Sequence, residues 1–515
     1  VKPETRAFLK RSPAENMRLV AEGYFARLPR LWQSQAREKY AELSKASIVE
    51  AMRWLGGLVA PLSEKIDIAA NDDDLKMLAD ECAFRCRSFF ADSLDGFLRG
   101  TKLANGLRCC HELCVFYGVR LPLEFDQNQQ RARLVDEVWW LRNLRNSHAK
   151  AREHAAIGAD KVHARGEVYC SDDTLDRRGQ QLRRNAQLMA DIELVSQESG
   201  EVISLQAAAA AGMANQENRR NELMTRIRGF EELAARRGDV CTFVTATCPA
   251  RMHAMLHNGK RNPKYDGTTP DKAQKYLTEC WARVRAAWAR VGVRVYGLRV
   301  SEPHHDGTPH WHMVLFHGGG FAETALRSYI TAYFLADNGN EPGAAENRVK
   351  FVRINPAKGT ATGYVMKYVA KNIGGIHGEE SDEAEASSES LAARVEAWAS
   401  TWRIRQFQQI GGHFVTIWRE LRRVDGFAAA AAGHAVFCAW QAAQRRGEVK
   451  ASYAAFIEAL GGLDVSPHEG AVALLVVYED IAGRYGDTVR RFHRGVRERF
   501  GVRVAINDRE HWQRV

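Results

Sequence analysis

Long apolar runs are missing from this 515-residue chain. None approaches the ~20 residues that span a bilayer. The longest candidate, 427–440, is broken by Gly433 and His434. The opening residues, VKPETRAFLKRSP, lack the apolar core of a secretory signal. They also lack a methionine, so the chain is expected to start inside a longer gene product. Ten cysteines, unevenly spaced, do not make a disulfide framework and point to a reducing cytoplasm. The biases of collagen, of repeats and of disorder are absent. So is any GxxxxGK(S/T) stretch, which excludes a fused P-loop helicase. Acidic residues are the minority charge. The 73 Lys+Arg against 63 Asp+Glu leave +10, which permits a polyanionic partner without requiring one. At ordinary domain sizes the length allows roughly two to four domains.

What is present divides along the chain. Residues 1–225 read as helix-rich, with apolar positions at helical spacing in YAELSKASIVEAMRWLGGL and RLVDEVWWLRNLRNSHAKAREHAA. From 238 to 375 short β-type runs alternate with helical stretches. The expected strands are 240–248, 293–302, 310–316 and 347–354, with helices at 270–291, 321–335 and 360–372. The order β-α-β-β-α-β, plus a last helix, predicts an α+β domain of ferredoxin/RRM-like type. Its antiparallel sheet is expected to carry helices on one face and leave the other free. Residues 376–425 hold an acidic, low-complexity piece (379–390), expected as a loop, and then RIRQFQQIGGHFVTIWRELRR. Residues 426–515 read as mostly helical, with an arginine-rich stretch at 484–503.

Two constellations carry chemistry. The first is Glu302-x7-His310-Trp311-His312. On a strand His310 and His312 project from one face while Trp311 points away, which suits two ligands of one metal ion. A hairpin with a five-residue loop at 305–309 would set His304 opposite His310 and Glu302 opposite His312. A two-residue Asp-Gly turn would send Glu302 to the other face. The plain alternative is a histidine pair on a solvated strand face. The second constellation is Tyr364-x3-Tyr368-x2-Lys371, one narrow stripe of a helix, with Lys367 beside it. Val365, Met366, Val369, Ala370 and Ile373 supply that helix with a separate core face. Two phenols one turn apart, next to a cation, suit covalent attack on a phosphodiester.

Other features are weaker. Lys260, Arg261 and Lys264 follow the first strand and suit phosphate contact or simple solvation. Arg403, Arg405, Gln406 and Gln408 offer groups that read bases, although packing around Trp402 and Trp418 would also explain the segment. Cys82-x3-Cys86 and Cys109-Cys110-His111-x2-Cys114 fit zinc spacing poorly and read as cysteines of a helical core.

Taken together, FVTATCPARMH, NPKYDGTTP, SEPHHDGTPHWHMVLF, GYVMKYVAKNIGG and RQFQQIGGHFVTIWRELRR resemble the phage replication gene A protein family of two-tyrosine HUH endonucleases. WWLRNLRN and VYCSDDTLDRR are similar to its N-terminal part, so the likeness covers about residues 135 to 425. The resemblance implies a rolling-circle replication initiator that nicks one DNA strand, keeps the 5′ end as a phosphotyrosine and frees a 3′-hydroxyl. It matches His310 and His312 to the paired metal ligands, Glu302 to the third ligand, Tyr364 and Tyr368 to the nucleophiles and Lys371 to the lysine that follows them. It implies Mg²⁺ or Mn²⁺, single-stranded or supercoiled origin DNA, a separate host helicase and polymerase, and the cytoplasm of a bacterial host. Histidines that precede tyrosines separate the chain from relaxases. A two-tyrosine transposase and a non-catalytic origin-binding protein remain the alternatives; a cupin-like metal protein fits neither the helix between strands nor the tyrosine stripe.

Overall fold

The computed structural model describes residues 12–59, 66–91, 99–357, 359–366, 382–479, 483–487, 490–507 and 512–514. The chain divides into two compact units. One comprises Val1–Glu167, Ser171–Thr174 and Asp480–Val489; the other comprises Val168–Cys170, Leu175–Glu479 and Arg490–Val515.

The first unit is helical as described. Asp126 and Asp136 cap the helices Gln127–Leu134 and Glu137–Gly158 by accepting from backbone N–H groups of the first turn. Its core joins Cys82, Cys86, Cys110 and Cys114 to Leu134, Trp140 and Leu144, all fully buried. These cysteines therefore act as small apolar side chains. Burial pushes the Cys82 thiol up to about 12.

The second unit is α+β. In chain order its strands are β1 Glu193–Ser196, β2 Val202–Ser204, β3 Val240–Ala246, β4 Val295–Pro303, β5 Pro309–His317, β6 Val349–Arg353, β7 Phe407–Ile410, β8 Val472–Glu479, β9 Arg490–Glu498, β10 Val504–Ile506 and β11 Trp512–Arg514. The central sheet runs β6-β3-β5-β4-β7, antiparallel throughout. Helix Pro270–Arg290 connects β3 to β4 and helix Phe321–Phe334 leads from β5 towards β6, so each crossover returns beyond an intervening strand. Two small sheets, β11-β1-β2 and β10-β9-β8, lie outside it.

Both faces of the central sheet are covered, contrary to the expectation of a free face. One face packs Val244, Trp311, Met313 and Leu315 against Leu277, Trp281, Val284, Leu326 and Ile330 of the two crossover helices. The opposite face packs Phe243, Leu298, Val300, Val314 and Phe316 against Phe230 of helix Gln216–Arg237, Val365, and Trp418 and Tyr453 further along the chain. The alternation of strands β3 to β5 is apolar on both faces, and such a strand must be buried twice.

Two further expectations fail. The acidic piece does not stay a loop, because 382–390 open the helix Asp382–Trp402. Ala and Glu are strong helix formers, and acidic residues are favoured in a first turn. The end of the chain is not mostly helical either. VALLVVYE is β8 and the arginine-rich stretch supplies β9, paired antiparallel from Val472↔Glu498 to Glu479↔Arg490. An apolar run rich in Val is a strand signal that helical periodicity overlooks. Helix Gln216–Arg237 belongs to the second unit and packs on the central sheet. Among the described residues, no helix is long and apolar enough to cross a membrane.

Candidate active site

The β4–β5 hairpin builds the site. Its register pairs Glu302 with His310, Val300 with His312 and Pro303 with Pro309. The expected five-residue loop is instead a three-residue loop, 305–307, closed by His304 N donating to Thr308 O at 2.7 Å. Gly307 has φ +80°, the left-handed position that a three-residue hairpin reserves for glycine. Relative to the expected register the strands slip by two residues, and a slip of two keeps every side chain on its face. Pro309 lies inside the ladder, opposite Pro303. Ladder hydrogen bonds alternate along an antiparallel pair, so two prolines beside the bonded His304–Thr308 pair remove no bond.

Glu302, His310 and His312 therefore converge, with one ligand atom of each within 4.8 Å of the others. His310 Nε2 lies 2.9 Å from His312 Nε2. His312 Nε2 lies 4.0 Å from Glu302 Oε2. At ligand bonds of about 2.1 Å, adjacent octahedral ligands are about 3 Å apart and opposite ones about 4 Å. The 2.9 and 4.0 Å separations fall in that range. Thr245 of β3 places its Oγ1 3.1 Å from His312 Nδ1, which orients the ring so that Nε2 faces the cluster. Glu302 is 1% exposed and His310 8%, so the cluster is well withdrawn from water.

A second layer supports the turn. His304 lies tilted against His310 at 4.1 Å between ring centres and His253 meets the edge of His304 at 5.1 Å. Asp306 lies 3.3 Å from His253 Nδ1 and accepts from Thr308 N and Met255 N. Burial, reinforced by the nearby His253 charge, depresses His304 to about 3. Burial acts to lower His253, but the Asp306 carboxylate outweighs it and raises that imidazole above its ordinary value. Burial likewise acts to raise Asp306, and His253 overrides it and holds the carboxyl below the usual carboxylate range. Trp398 donates its indole N–H to Gly307 O at 2.8 Å, and Tyr169 N donates to His305 O at 3.2 Å. None of His253, Thr245 or Trp398 stood out in the sequence, since each is distant from the paired histidines in the chain and belongs to no spacing; Asp306 was visible only as a turn residue.

Tyr364 stands on the same sheet face. Residues 361–366 are helical, with Val365 buried and Tyr364 37% exposed. Met366, expected on the core side, is 45% exposed. The Tyr364 ring lies 5.8 Å from Phe243, which stacks on His312 at 5.5 Å. One phenyl ring thus links the tyrosine to the histidine cluster. Glu231 of helix Gln216–Arg237 caps the tyrosine turn from below. Its carboxylate accepts from Ala361 N at 2.7 Å and from Thr362 Oγ1 at 2.6 Å. Lys367, Tyr368 and Lys371 lie outside the described residues.

The other candidates are placed less closely. Lys260, Arg261 and Lys264 are exposed on the loop between β3 and helix Pro270–Arg290, beyond the strand end nearest the cluster. That loop is folded by Asn262, whose amide donates to Ala250 O and His253 O. Arg403 and Arg405 are exposed, and half-buried Gln406 accepts from Ser301 N through its backbone oxygen at 2.7 Å. Gln406 therefore stands one residue from Glu302 across a strand pair.

Residues 123–376 match the model of the bacteriophage replication gene A protein family. This stretch belongs to that family. The chain is 39% identical to the "Replication gene A protein" of Escherichia phage 186 over 69% of its own length and 51% of the relative's. It is 34% identical to the "Replication protein" of Haemophilus phage HP1 over 78% of its length and 52% of the relative's. A "Probable replication endonuclease from prophage-like region" of Salmonella paratyphi A is 35% identical over 59% of this chain and 38% of that protein. The chain thus spans about half the length of the two phage relatives. No solved structure matches it. The gene A match contains the entire hairpin and Tyr364, and ends before helix Asp382–Trp402.

Proposed function

We propose that this chain nicks one DNA strand by tyrosine attack and so initiates rolling-circle replication, as a two-tyrosine HUH endonuclease on a ferredoxin/RRM-like sheet. The observation that carries this is the meeting of Glu302, His310 and His312 on the face that also bears Tyr364. A Mg²⁺ or Mn²⁺ ion held by those three side chains would draw charge from a non-bridging oxygen of the scissile phosphate.

The chain's own residues do the rest. Tyr364 Oη attacks phosphorus, and the new Oη–P bond forms as the bond from phosphorus to the 3′-oxygen breaks. The phenolic proton passes to the departing 3′-oxygen, which becomes the free hydroxyl that a polymerase extends. The 5′ end stays on the protein as a phosphotyrosine, so the energy of the phosphodiester is kept for rejoining. Tyr368, four residues on in the sequence, is the other nucleophile of the round, and Lys367 and Lys371 would supply positive charge to the transition state. Lys260, Arg261 and Lys264 grip the backbone past the strand end, and Arg403, Arg405 and Gln406 meet the strand along the β4–β7 edge. Single-stranded or supercoiled origin DNA is the substrate. A host helicase and polymerase complete the round in the bacterial cytoplasm.

The test is a denaturing protein gel. Labelled single-stranded oligonucleotides from the cognate replicon are incubated with the protein, with and without Mn²⁺. A metal-dependent covalent band that is lost when Tyr364 and Tyr368 are both changed to Phe is the expected result. Tight binding without a band from any oligonucleotide would refute nicking and favour an origin-binding role.

A further inference from the structure

Beside the strand that holds Glu302 lies a cavity of about 1020 Å³, to which the nicking reading assigns only Arg405 and Gln406 at one edge. Its walls come from helix Gln216–Arg237, from β7 and the turn after it, and from the start of helix Val415–Leu421. The floor is charged. Glu222, 5% exposed, makes a two-pronged pair with Arg419, with both contacts at 2.8 Å, and meets Arg226 at 3.3 Å. A second carboxylate in the lining, Glu396, is paired with Arg178 at 2.6 Å, so the two guanidiniums against Glu222 leave the floor positive. Exposed Arg219 and Arg405 add to it at the rim. Phe414, 40% exposed, offers a ring at the mouth, held edge-on by His468 at 4.9 Å.

We propose that this cavity receives unpaired nucleotides of the strand being cut, some way along from the scissile phosphate, with one base stacked on Phe414 and phosphates facing Arg219 and Arg405. The volume sits at the upper end of the roughly 300–1,000 Å³ found for small-molecule sites, which admits a base with its sugar and phosphate. Aromatic faces with flanking guanidiniums are the chemistry by which single strands are held without pairing. A duplex cannot use it, because its bases are already stacked. Position links the cavity to cleavage. Gln406, at one end, is bonded through its backbone to Ser301, the neighbour of Glu302. Phe414 lies past the other end of β7, whose last residue Ile410 pairs with Gly297, roughly 17 Å along β4 from Glu302. A single strand held between these ends would fix which phosphate reaches the histidine cluster. The inference rests on the nicking reading only for naming DNA as the ligand.

Fluorescence anisotropy with a labelled oligo(dT), and with a hairpin duplex as control, tests it on the full chain. Phe414→Ala is expected to weaken oligo(dT) binding about tenfold and leave duplex binding unchanged. Phe414→Trp is expected to restore it. Arg219→Gln is expected to flatten the dependence of log affinity on log salt by about 0.7, the release accompanying one single-strand phosphate. Both side chains are solvent-exposed, and thermal melting confirms that the variants fold. Unchanged oligo(dT) affinity in Phe414→Ala overturns the proposal, as does equal loss for single strand and duplex, or no oligo(dT) binding by the unaltered chain. The covalent gel is read on the same samples. Absence of a band together with Phe414-dependent binding sinks the nicking reading and supports the pocket.

Discussion

Glu231 should govern how well Tyr364 is presented. Its carboxylate holds Ala361 N at 2.7 Å, Thr362 Oγ1 at 2.6 Å and Thr362 N at 3.4 Å. Two of the four N–H groups that a helix start leaves without internal partners are thereby satisfied. The negative charge also has the favourable sign for that end of a helix. Replacing a capping side chain by Ala costs about 0.5–2 kcal/mol. Glu231 is half-buried, so water recovers part of the loss, and about 1–2 kcal/mol is the expected cost to the ordered turn. At about 1.4 kcal/mol per tenfold, Glu231→Ala should slow single-turnover formation of the tyrosine adduct roughly 5- to 30-fold. Glu231→Gln keeps one acceptor oxygen and should lose less. DNA affinity should hold, because Glu231 faces the turn and no DNA contact is assigned to it. Faster amide exchange at Ala361 and Thr362 should accompany the rate loss. An unchanged adduct rate in Glu231→Ala, or a loss confined to DNA affinity, would refute the positioning argument.

Further outcomes follow from the same geometry. Mn²⁺ at about 100 times its dissociation constant should add about 2.7 kcal/mol to stability and raise the melting temperature; an equal rise in His310→Ala or Glu302→Gln would sink the metal assignment. Thr245→Val removes the partner of His312 Nδ1 with little change of shape and should weaken metal binding about 10- to 100-fold, read by titration calorimetry. Trp398→Phe leaves the Gly307 carbonyl without its indole donor and should cost about 1–3 kcal/mol, so an unmoved urea midpoint would contradict that role. Burial lowers the pKa of both His317 and His413, so each stays neutral in the folded chain. Unfolded histidines take up protons below about 6.5. Their contribution to stability is therefore complete above that pH and drains away as pH falls below it. A melting temperature unchanged between neutral and mildly acidic buffer would refute it.

The hairpin was legible because its information is local. Alternation in HWHMVLF and the Asp-Gly turn are short-range signals, and the two histidines on one face follow from the pleat alone. The register was off by two residues because loop length depends on contacts the strand cannot reveal. Asp306 is drawn into the turn by Met255 and His253, some fifty positions away. The covered sheet face failed for the opposite reason. Helix Gln216–Arg237 reads as an ordinary amphipathic helix, and nothing in its spacing says that Phe230 meets Tyr296 at 5.3 Å. The terminal strands were lost to a choice of period. Arg490–Glu498 looks like a charged helix until its partner Val472–Glu479 is recognised as a β-branched run.

The covered face bears on how DNA reaches the candidate site. Along β4 the residues facing the histidines run Tyr296, Leu298, Val300 and then Glu302. Along β5 they run Phe316, Val314 and then His312 and His310. One face is thus hydrophobic core at one end and polar cluster at the other. Phe230 and Tyr453 close off the core end, so a strand laid across the sheet would meet buried aromatic rings. On the nicking reading proposed above, the substrate would come in at the strand ends, where the loop of Lys260, Arg261 and Lys264 is exposed and where Tyr364 meets solvent. The same gradient leaves Glu302 nearly withdrawn from water beside the two imidazoles, whose Nε2 atoms are 2.9 Å apart. On the reading proposed above, a divalent ion held by Glu302, His310 and His312 would place positive charge against that buried carboxylate.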